Sequence, residues 1–293
     1  MHAVPRPAAP VSGTASALLR DYSVEITSKD AASLAGVAGV LAPGTRIAIT
    51  SLPGESLDQS IATTQAVLRH GFRPVPHIAA RRIASTSALE SLLDALADIG
   101  ATQELFVIAG DLDKPEGPFE DALALIRSGL PARYGAERIG IGGYPEGHPR
   151  IPTDRLWTAL RDKAETIAEQ GLELRIITQF GFEAGLAAAW VRRVREAGIT
   201  ASIRIGVPGP ASAGALLRFA ARCGVRASGS ALRKYGMSVT RLMQSAGPET
   251  YVGDLASALS SFPSGDVGLH FYPFGGLANT ARWIAEAAQT NEA

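Results

Sequence analysis

Glu104–Gly110 reads ELFVIAG and Arg138–Pro145 reads RIGIGGYP, two apolar runs separated by enough chain for a helix. Neither run alternates cleanly between apolar and polar residues, which is the pattern of a strand buried on both faces of a parallel sheet. Six further runs share the form: Asp21–Thr27, Arg46–Ser51, Arg73–Ile78, Leu174–Phe180, Ser202–Gly209 and Gly268–Gly275. Helix-like stretches separate them. In Glu183–Gly198, for example, Leu186, Trp190 and Val194 recur at i, i+4 and i+8, with Arg192, Arg193 and Arg195 mostly opposite and Gly198 as a C-cap. Eight βα units predict an α/β chain folded as a (β/α)8 TIM barrel, which places its chemistry at the C-terminal strand ends. Those ends carry Glu25, Thr50, His77, Asp111, Tyr144, Glu146, His148, Gln179 and Tyr272. Far apart in sequence, they would converge on one mouth, as in an enzyme.

The chain has 293 residues, and one such barrel takes roughly 250. A single catalytic barrel over 18–293 is therefore expected, after a loose tail over 1–17 rich in Pro, Ala and Ser. The connection from Pro210 to Asp266 is longer than one helix needs. Ala211–Cys223 reads as the regular seventh helix, and Ala231–Gln244 and Thr250–Phe262 as extra helices between strands seven and eight, near the mouth or over one end. Basic and acidic residues number 28 each, so no charge footprint points to nucleic acid or an anionic membrane. The single cysteine, Cys223, excludes an intramolecular disulfide and a cysteine metal cluster. The start lacks the apolar region of a signal peptide, and no apolar run approaches the roughly 20 residues of a membrane span. A cytoplasmic protein is expected.

GxxxxGK[ST], GxGxxG opening a helix, GxSxG and HExxH are all absent, which removes P-loop, Rossmann and the usual hydrolase signatures. Four segments that are present carry a resemblance. They are PHIA at Pro76–Ala79, GDL at Gly110–Leu112, YPEGHP at Tyr144–Pro149 and ITQF at Ile177–Phe180, each ending a successive predicted strand. Together they resemble the methylenetetrahydrofolate reductase family, and the likeness runs from SVEI at Ser23–Ile26 to LHFY at Leu269–Tyr272. The resemblance implies an oxidoreductase of one-carbon metabolism, interconverting 5,10-methylenetetrahydrofolate and 5-methyltetrahydrofolate with NAD(P)H through FAD. It gives Glu25 the role of the acid that protonates the folate, and Asp111 that of the carboxylate beside flavin and pterin. Gln179 and Phe219 match pterin-contacting and ring-stacking positions. Thr50, His77, Gly110, Asp111, Tyr144, His148 and Lys163 match flavin-contacting ones.

Elementary chemistry agrees. A Glu at a barrel strand end is poorly solvated, which favours its protonated form and suits a general acid. A carboxylate in a water-poor pocket, as expected of Asp111, would stabilise a cationic folate. The hydride chemistry itself belongs to the cofactor. His270 is expected to be a hydrogen-bonded residue of the barrel interior and His70 to cap a helix end.

The chain also departs from the family's pattern. Ala109 stands where an Arg usually precedes GD, and Asp162-Lys163 stand where a basic pair is usual. Ala215 replaces a Gln four residues before Phe219, and Gly275-Gly276 stand where an Arg is expected after HFY. Chemistry residues are kept while phosphate- and tail-binding charges are lost. This implies weakly held, non-covalent FAD, or direct hydride transfer from NAD(P)H without flavin. A metal-dependent barrel hydrolase or aldolase built on His77, Asp111, Glu146 and His148 is a further alternative, although no close HxH pair supports it. A non-catalytic binding barrel is another. Neither flavin nor folate demands a dimer, and a homo-oligomer is compatible with the sequence.

Overall fold

In the computed structural model, which describes residues 13–225 and 245–289, eight parallel strands close into a barrel. They are β1 Ser23–Ile26, β2 Arg46–Ile49, β3 Arg73–Ala79, β4 Glu104–Ile108, β5 Arg138–Gly143, β6 Glu173–Phe180, β7 Ser202–Pro208 and β8 Val267–Tyr272. Each strand pairs with its neighbours in sequence, and β1 pairs with β8 to close the ring. The sequence-based strands match these within three residues at every end.

Two apolar clusters show which way the strands face. Ala48, Val75, Phe106 and Ile177, from β2, β3, β4 and β6, meet in a small cluster of their own, so they point into the barrel. The main core lies outside it, where Val24, Ile47, Leu105, Ile139, Ile176, Ile203 and Leu269 pack against the helices. Below the inner cluster the barrel is plugged by charge. Glu104 meets Arg46 at 2.9 Å, Arg138 at 3.0 Å and Arg175 at 3.1 Å. Fully buried Arg204 pairs with Asp266 at 2.9 Å and with Asp21. All of these lie at or near N-terminal strand ends, so this face stabilises the barrel and leaves the opposite face for chemistry.

The helices depart from expectation at four points. Glu249–Leu259, expected to be extra, packs against Ala184–Glu196 as an outer-ring helix. Ala213–Cys223, expected to be the regular seventh helix, is the added element. Its C-capping Gly224 lies so close to Pro149 of the YPEGHP loop that a Cβ would collide with the proline ring, which carries the helix end across the mouth. In Ala184–Glu196 the buried stripe is Ala187, Ala188, Trp190, Val191 and Val194, while Leu186 is 51% exposed. The stripe therefore runs through the alanines, Trp190 and the valines, and leaves Leu186 outside it. Gly13–Leu18 forms a short helix with Ala15 and Leu18 buried, so ordered packing begins inside the stretch expected to be loose. The proposed helix Ala231–Gln244 falls outside the described residues. Among the described residues no helix is long and apolar enough to cross a membrane.

Candidate active site

Strand register builds the mouth. Glu25 lies beside inward-facing Ala48, and Ser23 shares its face two residues earlier. Closure of β1 on β8 sets His270 opposite Ser23. The Ser23 hydroxyl and His270 Nδ1 are 2.8 Å apart, and His270 Nε2 stands 3.7 Å from Glu25 Oε2. His270 is fully buried, as expected of an interior residue, but it also backs the candidate acid.

His77 follows Val75 on the inner face of β3, its ring 4.6 Å from that of Phe106. Its Nε2 is buried without a hydrogen-bond partner. Burial pushes the imidazole down to about 4, with the Glu25 carboxylate opposing and His270 adding to the shift. Tyr272 donates its hydroxyl to Thr178 O at 3.0 Å, and burial, then Glu25, pushes the phenol well up.

Gln179 sits at an irregularity in β6, where the register against β7 shifts between Ile177 and Phe180. The Gly206 N–H donates to Thr178 Oγ1 at 2.8 Å, and a Cβ on Gly206 would collide with Thr178 O and Phe180 N. A glycine there lets β6 and β7 approach this closely beside Gln179, whose Oε1 accepts from Phe180 N at 3.1 Å.

At the end of β4 the chain turns at Gly110, φ +89°. Asp111 is 59% exposed and paired with Arg82 at 2.5 Å, which holds its carboxyl below the usual range. The expected water-poor site is thus corrected: Asp111 is solvated, and its charge is shared with a guanidinium. A cleft of about 590 Å³ opens here, lined by Ser51, His77, Ala79, Arg82, Asp111 and Leu112 among others. Of the expected flavin contacts, only His77 and Asp111 line it. The Thr50 hydroxyl donates to Ile26 O at 3.2 Å. Tyr144 folds over Gly142 and meets His148 edge-on at 5.3 Å. The Arg150 N–H donates to His148 Nδ1 at 3.2 Å. Half-buried Lys163 lies near Asp121; burial lowers its pKa while Asp121 opposes. Tyr144 and His148 thus pair on the β5 side of the mouth, whereas Thr50 lies on the opposite side, at the end of β2.

Glu146 is spent elsewhere. Its Oε1 accepts from Phe182 N at 2.8 Å and Glu183 N at 3.0 Å, at the start of the Ala184–Glu196 helix. The metal alternative is corrected accordingly: among the described residues no three His, Cys, Asp or Glu side chains gather to hold an ion. Phe219, on the helix over the mouth, stacks on Phe274 at 4.1 Å.

The sequence profile of methylenetetrahydrofolate reductase matches residues 45–272. The chain belongs to the methylenetetrahydrofolate reductase family. Among solved structures, an uncharacterized protein from Clostridium thermocellum that binds two copies of 5-methyl-5,6,7,8-tetrahydrofolic acid is similar at TM-score 0.55 and 11% identity, over 94% of this chain and 98% of that one. Dihydropteroate synthase from Thermus thermophilus is similar at TM-score 0.50 and 14% identity, over 94% of each chain. At these identities the likeness is one of fold. In this methylenetetrahydrofolate reductase family member Ala109 offers Asp111 no cation, and Arg82 supplies one from the end of β3. Sequence reading missed Arg82, Ser23 and Phe274, and gave His270 no link to the acid. The i, i+2 spacing of Ser23 and Glu25 was a usable signal; the pairing of β1 with β8 was needed for the rest.

Proposed function

We propose that this chain interconverts 5,10-methylenetetrahydrofolate and 5-methyltetrahydrofolate at the expense of NAD(P)H. The observation that carries the proposal is the Glu25 carboxylate at the mouth, backed by His270 and Ser23. Reduction adds a hydride to the one-carbon unit and needs one proton to open the folate ring. Glu25 is the donor. With the Ser23 hydroxyl donating to Nδ1, the imidazole turns its Nε2–H toward the Glu25 carboxylate and orients it, and Glu25, which reaches the mouth, regains its proton from solvent after each turnover. Gln179 offers an amide to the pterin edge, and Phe219 offers a ring face. Asp111 lends negative charge near the cationic intermediate, moderated by Arg82.

FAD is the proposed cofactor. His77 and Asp111 suit the ring end of a flavin, and Lys163 suits its phosphates. The fit is poorer at the diphosphate, because Arg82, the cation lining the cleft, is already paired with Asp111, and Arg81 donates to the carbonyls of Leu112 and Glu120. When bound, FAD would relay the hydride between nicotinamide and folate. The same committed arginines favour a second reading, direct transfer from NAD(P)H. Absorbance of the purified protein separates the two. A visible flavin band that fades on dilution or in high salt, with activity restored by added FAD, supports the first. Colourless protein at full rate, indifferent to FAD, supports the second. Glu25→Gln should cut folate turnover by about 10²-fold or more; wild-type turnover in that variant would remove Glu25 from the mechanism.

A further inference from the structure

Phe274 has no role in the reading so far. It lies in the turn after β8, and among the described residues three aromatic rings surround it. It stacks on Phe219 at 4.1 Å and 13°, lies nearly parallel to Tyr272 at 5.7 Å and 23°, and meets Phe180 edge-on at 4.8 Å. Its backbone is pinned. The Phe274 N–H donates to Tyr272 O and the Gly276 N–H to Pro273 O, each at 2.8 Å. Gly276 has φ +99°, and Gly275 sits so tightly on Pro210 O that a side chain would collide. The Phe274 backbone is therefore held by the barrel, whereas Phe219 rides on the helix laid across the mouth. A centroid spacing of 4.1 Å leaves no room for a third ring between the two.

We propose that Phe274 is a specificity-determining residue: it occupies the stacking face of Phe219 in the free protein, so that the flat pterin of a folate binds only by taking its place. The inference rests on the reading of Phe219 as a ring-stacking residue. An internal competitor of this kind makes the mouth selective, because a ligand must offer Phe219 a better face than another benzene ring does. Small apolar molecules fail that condition, while a polar bicyclic ring with hydrogen bonds to Gln179 meets it. The competition also holds the helix end shut when no ligand is present.

Two measurements test this in Phe274→Ala, with Phe274→Leu as the variant that keeps apolar volume but loses the flat face. The first is calorimetric binding of 5-methyltetrahydrofolate. The second needs no ligand: the rate at which a maleimide labels half-buried Cys223, the only thiol in the chain and one turn past Phe219. Loss of a ring pair predicts about 2- to 10-fold tighter pterin binding and faster labelling in both variants. In a Phe219→Ala background, Phe274→Ala should change neither quantity further. Pterin binding that is unchanged or weaker in the single variants, with labelling at the wild-type rate, overturns the proposal. If labelling accelerates as expected but no form of the protein binds the pterin, the ring competition stands and the folate reading falls.

Discussion

A half-buried histidine whose Nε2 has no hydrogen-bond partner bears directly on acid stability. The imidazole of His77 falls from 6.5 to about 4 because burial disfavours its charged form. Below pH 6.5 the unfolded chain binds a proton that the folded chain refuses until about pH 4. Stability is therefore fully present above the unfolded value and is lost as pH falls through this window. The loss should reach on the order of 2 kcal/mol by about pH 5. Urea unfolding from about pH 8 down to about pH 5 should show a shallower decline in His77→Leu than in wild type, and parallel declines would show that His77 titrates normally. Glu25 and Asp111 were both legible as strand-end carboxylates, but their settings were not. One is backed by an imidazole from the other end of the chain, and the other is solvated and paired with Arg82.

The irregularity in β6 is what an element contributes to the site. The register of β6 against β7 shifts between Ile177 and Phe180, and the two backbones come this close beside Gln179 because Gly206 of β7 has no side chain to block it. Gly206→Ala forces its methyl against Thr178 O and Phe180 N. It should cost about 1–3 kcal/mol as an overpacking substitution and raise the folate KM more than it lowers kcat. A lowered melting temperature with unchanged KM would show that this close approach does not position Gln179. The helices show how far periodicity carries. It located Ala213–Cys223 and Glu249–Leu259 within a few residues, yet it assigned them to each other's places. Both are apolar-striped helices of similar length, and a stripe records that a face is buried, not which surface buries it.

Over the whole molecule, charge and chemistry are segregated to opposite ends of the barrel. The N-terminal face is closed by Glu104 among Arg46, Arg138 and Arg175, and by Arg204 between Asp21 and Asp266. Glu104 is nearly buried, so Glu104→Gln leaves three guanidinium groups short of their shared anion and should cost about 3–5 kcal/mol in denaturant unfolding. It lies below the inner apolar cluster, so folate KM and kcat of the folded variant should hold at wild-type values. A stability change near zero would mean that water or a rearranged partner replaces the carboxylate.

From its residues alone the chain specified eight buried strands, their order, and through four short motifs the reductase family. These are local properties: a run of β-branched residues buries itself wherever it lies, and a barrel strand points its end residue to the mouth. Folding alone settled which residues meet across the ring. The contact of His270 with Glu25 depends on β8 closing against β1, and the pairing of Arg82 with Asp111 depends on β3 lying beside β4. The stack of Phe274 on Phe219 depends on a helix leaving the outer ring to cross the mouth. Each of these joins residues whose separation in sequence carries no signal, because closing a long loop costs little more than closing a short one, and the packed partner decides the contact.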